Sequence, residues 1–437
     1  MRVLVLAYHF PPDPAVGSLR AAKVAEAFRS RGHEVTVIAA SHPAANGTRP
    51  DKPGLTIHTV RPLPNPREAY VAVKRWMGRG KSPAPAVGTT QDADVMPRAA
   101  AWKRYLFSLL WLPDDRQGFI PPAVRAGLRE IRRGVDLMYT TSPPHSVHLA
   151  GLLLKWLTGV RWAIEFRDPW TGNPGRPSHV TSPLSEALER RLERRTLASV
   201  DHIVAVTDGI ADLLRDRIIP ARRKLVEPMV IRNGIDRLLR EPPPAAAATD
   251  RPFRILHVGS LYHRRDPRPF LTAFAAFVKS AAAEGRRVQL DLVGDCRWYH
   301  GLSVETLAAE LGLGEAVTFR DWVPHDESLR LMAEADLLLL FAQDQPTQVP
   351  NKLYEYLGTR RPILAFADET GEVARMLRQA GGHYLVTSAD GSESEACLRA
   401  ALASRGLDGA PGNPALLADW TTESQMRRLT EALVNPA

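Results

Sequence analysis

Short apolar runs alternate with longer amphipathic stretches along most of the chain. Each apolar run has the length of a single strand, and each amphipathic stretch repeats its apolar positions at the spacing of a helix. Strands that alternate with helices in this way form βαβ units, in which consecutive strands run parallel. The pattern therefore predicts an α/β protein built on parallel sheets.

The first series of predicted strands occupies the amino-terminal half of the chain. These strands are expected at 2–7, 34–40, 55–60, 136–140, 162–166, 202–206 and 229–231. An amphipathic helix is predicted to start near residue 18, after the first strand and its loop. Its expected inward-facing residues are Leu19, Val24, Ala25 and Phe28. The segment from 61 to about 100 is rich in proline, alanine, glycine and basic residues, which indicates an insertion.

The second series follows a segment rich in proline and alanine, which is typical of a domain boundary. Its strands are expected at 253–258, 288–293, 317–319, 337–341, 362–366 and 384–386. A last helix is predicted to end at Val434, with Thr422 and Gln425 as a capping box. The two series predict two doubly wound, Rossmann-like domains that face a central cleft. The first domain is expected over 1–236, a linker over 237–252 and the second domain over 253–415.

The composition is that of a globular protein. At 437 residues the chain is too long for one ordinary core, which agrees with two domains. Apolar residues make up 44% and charged residues 24%, which excludes a disordered or fibrous chain. No apolar run approaches the roughly 20 residues that span a bilayer, and the amino terminus has no signal-peptide pattern. Cys296 and Cys397 make no disulfide framework, so a cytoplasmic location is predicted.

The formal net charge of +9 favours a polyanionic partner. No helix-turn-helix, zinc-finger or aromatic ribonucleoprotein signature is present, so nucleic acid is not expected. Contact with an anionic membrane, at the inner face of the cell membrane, stays open, because the stretch 102–111 is both aromatic and basic. The same stretch has the pattern of an amphipathic helix that packs on its own domain.

The most informative segment is 349–358, which follows the predicted strand 337–341 and opens a helix. Open α/β folds bind ligands at the carboxyl ends of their parallel strands, so the start of this helix lies where a ligand is expected. Lys352 can pair with a phosphate as a point charge, and the carboxylate of Glu355 can accept hydrogen bonds from two ribose hydroxyls. Together they indicate a nucleotide-sugar site.

Two further loops of the second series end at the same edge. Gly259 allows a tight turn after the strand 253–258, and Arg264 or Arg265 can bind a diphosphate through two hydrogen bonds. Asp295 follows the strand 288–293, where a nucleobase can lie. The alternative is a basic surface loop without a ligand.

In the first series, the loop after the first strand carries His9 and Gly17. Gly17 lies where helix N–H groups can face an anion or a polar substrate. The three spaced glycines of a dinucleotide site are absent, which weakens the case for a nicotinamide enzyme. The alternative is a rigid proline turn without a ligand.

Polar residues follow two other strands of the first series. His145 comes after 136–140, and Arg167 and Asp168 come after 162–166, so all three are expected at one sheet edge. Asp168 can accept a proton, and the Arg-Asp pair can orient a hydroxyl. The alternatives are a buried ion pair that pins the loop and a packed histidine. No group of His, Cys or carboxylates has metal-ligand spacing, so neither a metal nor another cofactor is expected.

Several short motifs occur in an order that resembles a known family. They are 31–35 (Arg-Gly-His-Glu-Val), 166–170 (Phe-Arg-Asp-Pro-Trp), 233–236 (Asn-Gly-Ile-Asp), Gly259 with Arg265, 293–295 (Val-Gly-Asp) and 350–357. Together they run across nearly the whole chain. The sequence resembles the retaining glycosyltransferases of family four, which have the GT-B fold. The closest subgroup in style assembles surface polysaccharide and lipopolysaccharide.

The resemblance implies a nucleotide-sugar donor, a UDP-sugar by preference, held by the second domain. It implies a glycan or lipid-linked acceptor held by the first domain, and a last helix, 416–437, that crosses back to the first domain. Arg265 and Lys352 would neutralise the diphosphate, Glu355 would bind the ribose, and Gly17 would approach the donor from the first domain. Asp168 lies near the position where relatives have a catalytic-region His-Asp pair. The predicted acceptor contacts are His9, Asp114, Asp115, His145, Arg167 and Asp168.

Two departures from the family pattern change the expected donor contacts. Thr347 stands where many relatives have a glutamate that contacts the sugar, so Thr347 and Gln348 are expected to make that contact. Ser260 stands where relatives commonly have an arginine, so diphosphate binding is expected to depend more on Arg264. The predicted catalytic residues are Asp168, Arg265 and Lys352. The predicted donor contacts are Gly17, Gly259, Arg264, Arg265, Asp295, Thr347, Gln348, Lys352, Leu353 and Glu355.

Two other functions remain open at this point. A nucleotide-sugar epimerase would also place doubly wound domains around a nucleotide sugar, but it needs a carboxylate and histidine set in the cleft. A non-catalytic sugar- or nucleotide-binding protein would bind the donor without transfer or hydrolysis.

Overall fold

The computed structural model of the protein describes residues 1–42, 47–65, 68, 108–172, 182–218, 226–239, 251–262, 264–405 and 411–434. The chain divides into two compact units. The first contains Met1–Ile231 and the end of the chain from Met426, and the second contains Arg232–Gln425. The division therefore falls before the predicted boundary at residue 236. Most of the predicted insertion and linker, and 102–107 of the aromatic stretch, lie outside the described residues.

The first unit is an α/β unit. Its strands are β1 (Arg2–Ala7), β2 (Glu34–Ala40), β3 (Thr48–Lys52), β4 (Leu55–Val60), β5 (Leu137–Ser142), β6 (Trp162–Phe166), β7 (His202–Ala205) and β8 (Met229–Val230). Its first helices are α1 (Val16–Arg29), α2 (Ile120–Arg132), α3 (Ser146–Thr158), α4 (Pro183–Leu197) and α5 (Asp208–Ile218). In the described part of the chain these strands form one eight-stranded sheet in the order β3-β4-β2-β1-β5-β6-β7-β8.

All neighbouring strands of this sheet are parallel except β3, which pairs antiparallel with β4. The sequence pattern did not predict β3. Its residues, Thr-Arg-Pro-Asp-Lys, have no apolar alternation, because this strand lies at the sheet edge, where proline and charged residues are tolerated. The buried parallel strands carry the apolar runs from which the sheet was predicted.

Helix α1 packs on the sheet mainly as predicted. Val24, Ala25 and Phe28 are fully buried, whereas Leu19 is 58% exposed, so the prediction for Leu19 is wrong. Leu19 lies five positions before Val24, which places the two side chains on different faces of a helix. Ala21 occupies the buried side at this level instead.

The second unit repeats the α/β architecture. Its strands are β9 (Phe253–Val258), β10 (Val288–Val293), β11 (Trp298–Tyr299), β12 (Leu302–Ser303), β13 (Val317–Arg320), β14 (Leu337–Ala342), β15 (Ile363–Ala367) and β16 (Tyr384–Val386). Its helices are α6 (Arg268–Ala283), α7 (Val304–Glu310), α8 (His325–Glu334), α9 (Asn351–Thr359), α10 (Glu372–Ala380), α11 (Ser394–Ala403) and α12 (Pro414–Asp419). Six parallel strands form a sheet in the order β13-β10-β9-β14-β15-β16, and β11 and β12 form a separate hairpin, as far as the described residues extend.

The last helix, α13 (Thr422–Val434), begins in the second unit and continues into the first. Met426, Leu429 and Leu433 are buried in the core of the first unit. The predicted capping box is wrong, because the capping side chain is that of Thr421 and not that of Thr422. The hydroxyl of Thr421 accepts a hydrogen bond from the Ser424 N–H. The Thr422 hydroxyl instead donates to the Asp236 carboxylate, which lies just after the second unit begins.

No helix among the described residues is long and apolar enough to cross a membrane. The same residues contain no group of three or more His, Cys, Asp or Glu that could hold a metal ion.

A buried ion pair joins α1 to the sheet of the first unit. The Arg20 guanidinium donates to Glu165 Oε1 at 2.7 and 2.9 Å and to the carbonyl of Ile231 at 3.0 Å. Thr141 donates its hydroxyl to Glu165 Oε2 at 2.7 Å. Burial alone would raise the pKa of Glu165, but Arg20 and Thr141 hold that pKa below its ordinary value. The carboxylate is therefore charged and saturated with donors.

Glu165→Ala should destabilise the first unit by about 3–5 kcal/mol, because Arg20 would remain buried without its counter-charge. Since the folded pKa of Glu165 is lowered, its stabilisation is present above the unfolded pKa and is lost as pH falls. Calorimetric unfolding temperatures, measured at neutral and acidic pH, test both points. Glu34→Ala is the control, because Glu34 pairs with Arg2 in an exposed ion pair, and it should cost under about 1 kcal/mol. Equal effects of the two substitutions would contradict a structural role for the buried pair.

Candidate functional site

Two glycine turns meet at the carboxyl edge of the second sheet. Gly259 follows β9, Gly294 follows β10, and both have positive φ angles, of 155° and 109°. A Cβ on Gly294 would lie 2.3 Å from the carbonyl oxygen of Gly259. Gly294 therefore has two reasons to be glycine, its backbone conformation and this close approach of the two loops.

His257 lies beneath this edge with its imidazole buried. Its Nδ1 is 2.9 Å from the carbonyl oxygen of Leu339, which can only accept, so this nitrogen carries the proton. Burial lowers the pKa of His257 to about 4, and the charges of Arg265 and Lys352 contribute in the same direction. The imidazole is therefore neutral at pH 7, and two cations lie close enough to act on it.

Arg265 is the first of these cations. Its guanidinium lies over the ring of Tyr262, 4.2 Å from the ring centroid. Its Nε is buried without a hydrogen-bond partner, and no carboxylate pairs with the side chain in the described part of the chain. Burial lowers the pKa of Arg265. A half-buried guanidinium of this kind is chemically suited to bind an anion.

Lys352 is the second cation, in the first turn of α9. Its Nζ lies 2.7 Å from Glu355 Oε2, and both side chains are about a quarter exposed. The sequence pattern assigned the two residues to different parts of a ligand, and the structure shows them as a pair one helical turn apart. Lys352 also lies where the free N–H groups of a helix N-terminus add to its positive charge.

Tyr356 fixes the helix that carries these two residues. Its buried hydroxyl accepts a hydrogen bond from the Val258 N–H at 2.9 Å and lies 3.4 Å from the Leu339 carbonyl oxygen. These contacts join α9 to β9 and β14. The positions of Lys352 and Glu355 relative to Gly259 and His257 are therefore set by a hydrogen bond in the core.

The loop between β14 and α9 contains Thr347 and Gln348. The Asp368 carboxylate accepts hydrogen bonds from the backbone N–H groups of Asp344 and Gln345. Further along, the carbonyl of Pro346 accepts from the N–H of Glu372, at the start of α10. The loop is thus held by β15 and α10, with Thr347 and Gln348 half-buried.

Three predicted donor contacts are placed differently from expectation. Arg264 is 74% exposed and pairs with Asp344 at 3.4 Å, so it is directed to solvent while Arg265 is half-buried. The Leu353 side chain is fully buried in the core, so it packs there and cannot face a ligand. Asp295 is exposed, and its carbonyl, rather than its carboxylate, makes the loop contact, to the N–H of Leu261.

Trp322 was not predicted from the sequence. It follows β13, is 63% exposed, and its ring reaches to 3.5 Å from the position of a Cβ on Gly294. The sequence did hold one signal for this residue, a tryptophan directly after the aspartate that follows the strand. The ring lies at the sheet edge, beside the glycine where a nucleobase was predicted.

In the first unit, Arg167 binds carbonyls of two backbone segments, the start of α1 and the end of β5, at the carboxyl edge of the sheet. It donates to the carbonyls of Gly17, Ser142 and Pro143 at 2.7–2.8 Å. A Cβ on Gly17 would lie 2.9 Å from its guanidinium nitrogens. The strand ends therefore meet as predicted, and Arg167 holds them together; its contact with an acceptor stays a prediction.

Asp168 lies beside Arg167. Burial lowers the pKa of Arg167, and the charge of Asp168 acts in the opposite direction. His9 Nδ1 lies 2.6 Å from the Asp13 carboxylate, in the loop before α1. Asp168 and His9 are both half-buried and close to the same edge, so they stay candidates for contact with a substrate.

The other predicted acceptor contacts have structural roles or lie at the surface. His145 is buried and stacks on Trp170 with the ring planes 3° apart, which is the packed histidine that was the alternative. Asp114 accepts a hydrogen bond from the Ser146 N–H at 2.8 Å and so caps α3. Burial raises the pKa of Asp114. Asp115 lies at the surface beside Arg116.

Comparison with known proteins identifies the kind of molecule that carries this site. Residues 17–229 match a family model described as a glycosyl transferase 4-like domain. The chain is a GT-B glycosyltransferase. This confirms the predicted family resemblance and enzyme class. A search of curated protein sequences finds no match.

Solved structures with the same fold cover almost the whole chain of this glycosyltransferase. HepE of Anabaena in complex with UDP is 15% identical, with a TM-score of 0.61 and coverage of 99% of this chain and 100% of that chain. The lipopolysaccharide outer core galactosyltransferase WaaB is 12% identical, with a TM-score of 0.61 and 99% coverage of both chains. Sucrose-phosphate synthase from Thermosynechococcus elongatus is 17% identical, with a TM-score of 0.56 and coverage of 100% and 95%. At these identities the likeness shows the GT-B fold, as predicted.

Gly294→Ala should destabilise this glycosyltransferase more than Gly301→Ala. Both positions have positive φ, which costs an alanine about 1 kcal/mol, but a Cβ at Gly301 meets nothing within 4 Å. At Gly294 the clash with the Gly259 carbonyl should add about 1–3 kcal/mol. Chemical unfolding of the two variants measures the difference. Equal stabilities would mean that the two glycine turns do not approach closely.

Proposed function

We propose that the glycosyltransferase moves a hexose from a UDP-sugar to a hydroxyl of a glycan or lipid-linked acceptor, with retention of the anomeric configuration. In this proposal the diphosphate lies at Arg265 and Lys352, and Glu355 binds the ribose. The nucleobase lies beside Gly294 and Trp322. Structures of similar fold were solved with UDP and with UDP-glucose, which supports the choice of donor.

One observation carries the proposal more than any other. Arg265 is half-buried, has an unpartnered Nε and no carboxylate partner within the described residues, and shares its surroundings with Lys352. A buried cation without a counter-ion is unfavourable unless a ligand supplies the negative charge. A diphosphate supplies it and also offers several acceptor oxygens in the geometry that a guanidinium prefers.

Lys352 and Glu355 suggest how donor binding begins. Without a ligand they satisfy each other at 2.7 Å. When a donor binds, the phosphate would take the Lys352 ammonium, and the carboxylate of Glu355 would become free to accept the ribose hydroxyls. One intrahelical pair would thus be exchanged for two contacts to the ligand, and the cost of separating the pair is small because it is partly solvated.

The chemistry follows from where negative charge develops. Cleavage of the glycosidic bond leaves charge on the departing diphosphate, so fixed cations beside it stabilise the transition state more than the ground state. In a same-face attack the leaving phosphate helps to deprotonate the acceptor hydroxyl. This route needs no protein nucleophile, and Asp168 is proposed to assist it from the acceptor side.

The acceptor class and the location belong to the same proposal. We assign the acceptor to surface-polysaccharide or glycolipid assembly on the basis of the motifs, and the galactosyltransferase of similar fold is an example of that chemistry. We place the reaction in the cytoplasm, because the thiols of Cys296 and Cys397 are free, as expected in a reducing compartment.

Lys352→Ala should raise the Kd for UDP at least about tenfold, because it removes a charge-assisted contact to phosphate. Glu355→Ala should also raise the Kd for UDP, because the ribose contact is lost. It should raise the Kd values of UDP and of uridine by similar factors, since both ligands contain the ribose. Lys279→Ala is the matched control, since Lys279 is exposed on α6, away from the sheet edge. Isothermal titration calorimetry gives the constants. An unchanged Kd for Lys352→Ala would remove it from the phosphate site.

Product analysis distinguishes transfer from the other two functions. With UDP-glucose or UDP-galactose and a lipid-linked acceptor, a transferase should release UDP in proportion to glycosylated product, and the new linkage should keep the donor's α configuration. Nuclear magnetic resonance of the product reports the anomeric proton. Isomerisation of the donor without an acceptor would indicate an epimerase, and binding of the donor without transfer or slow hydrolysis would indicate a binding protein.

A further inference from the structure

Exposed apolar side chains cluster on two adjacent helices of the first unit. Helix α3 exposes Leu153, Trp156 and Leu157, which follow one another at the spacing of a single helical face. Trp156 is 52% exposed and Leu157 is 63% exposed. Large side chains of this kind rarely lie together in solvent without a function.

Helix α4 continues the same surface. Leu184, Leu188, Arg191 and Arg195 recur at intervals of three or four residues and are all exposed. The Arg195 guanidinium lies over the ring of Trp156, 5.0 Å from its centroid, so the exposed faces of the two helices adjoin. We call these residues of α3 and α4 the α3–α4 surface.

The charge at this surface is positive. Arg190, Arg191, Arg194 and Arg195 are exposed on α4, and Glu186 is the exposed carboxylate on that helix, where it pairs with Arg190. Glu189 and Glu193 are buried, so they do not offset the charge at the surface. Arg191, Arg194 and Arg195 have no carboxylate partner among the residues that the structure describes.

We propose that the α3–α4 surface docks this glycosyltransferase on an anionic lipid bilayer. Leucine and tryptophan side chains enter the region between headgroups and acyl chains, where an indole ring is stable because it is both apolar and polar. The arginines lie beside the lipid phosphates, where each basic residue adds to the attraction. A protein partner would need a complementary acidic patch around an apolar centre, whereas an anionic bilayer offers both properties continuously.

The α3–α4 surface shares no residue with the site proposed for the donor. It consists of helices of the first unit, and the residues assigned to the diphosphate lie in the second. It also differs from the aromatic stretch 102–111, from which membrane contact was first suggested. The inference therefore stands or fails independently of the donor assignment.

Vesicle binding tests the proposal with the full chain. The protein should co-sediment with vesicles of equal parts phosphatidylglycerol and phosphatidylcholine, and binding to pure phosphatidylcholine should be at least about tenfold weaker. Raising the salt from about 0.05 M to about 0.5 M should weaken binding, because it screens the arginine–phosphate attraction. Failure of the protein to bind the anionic vesicles would overturn the proposal.

Matched double substitutions assign the binding to this surface. Trp156→Ser with Leu157→Ser should lower the vesicle partition coefficient at least about tenfold, because two inserted side chains are lost. Trp298→Ser with Leu302→Ser, an exposed Trp and Leu in the β11–β12 hairpin of the second unit, should leave it unchanged. Equal effects of the two pairs would contradict the assignment to α3 and α4.

A second pair of variants separates charge from apolar insertion. Arg191→Gln with Arg195→Gln should remove most of the preference for phosphatidylglycerol, while Arg330→Gln with Arg399→Gln, which are ion-paired residues of the second unit, should not.

Analytical ultracentrifugation of the same proteins tests the remaining outcome, which is self-association through this surface. If the wild type self-associates, Trp156→Ser with Leu157→Ser abolishes that association, and no protein binds vesicles, the surface is an interface between copies and the proposal is wrong.

Discussion

Positive charge held at the edge of the second sheet is the constraint on which the candidate site depends. Burial keeps the imidazole of His257 neutral, and the charges of Arg265 and Lys352 act in the same direction. Two cations near a buried polar group are unfavourable in a protein interior unless an anion compensates them. Glu355 compensates Lys352, whereas no carboxylate of the described residues does the same for Arg265. The site therefore has unused capacity for negative charge at Arg265.

The surrounding backbone keeps these groups in place. Tyr356 joins α9 to the core strands, and Gly294 lets its loop approach the Gly259 carbonyl, where a Cβ would lie 2.3 Å from the oxygen. The first unit uses arginine differently. Arg20 neutralises Glu165 inside the sheet, and Arg167 binds three carbonyls at its edge. Arg20 and Arg167 thus make their contacts within the fold, whereas Arg265 of the second unit has no carboxylate partner among the described residues and is available to a ligand.

The sequence predicted the sheets well because buried parallel strands are continuous apolar runs. Strands β1, β2, β6, β9 and β10 have the predicted bounds, and the edge strand β3 was missed because it is polar. Leu353 and Arg167 show the limit for the site. Position near the carboxyl edge of a sheet does not reveal whether a side chain turns into the core, as that of Leu353 does at the start of α9, or binds neighbouring carbonyls, as Arg167 does after β6. Those outcomes depend on contacts between segments distant in sequence, and so does the exposure of Trp322 beside Gly294.

The central claim is that the two cations bind a diphosphate, and a series of ligands that differ only in phosphate number tests it most directly. The Kd values of uridine, UMP and UDP should be measured by calorimetry under one set of conditions. The account predicts a gain in affinity of at least about tenfold from UMP to UDP, because the second phosphate reaches a second cation. Equal affinities of UMP and UDP would contradict it, since no cation would then be engaged by the second phosphate.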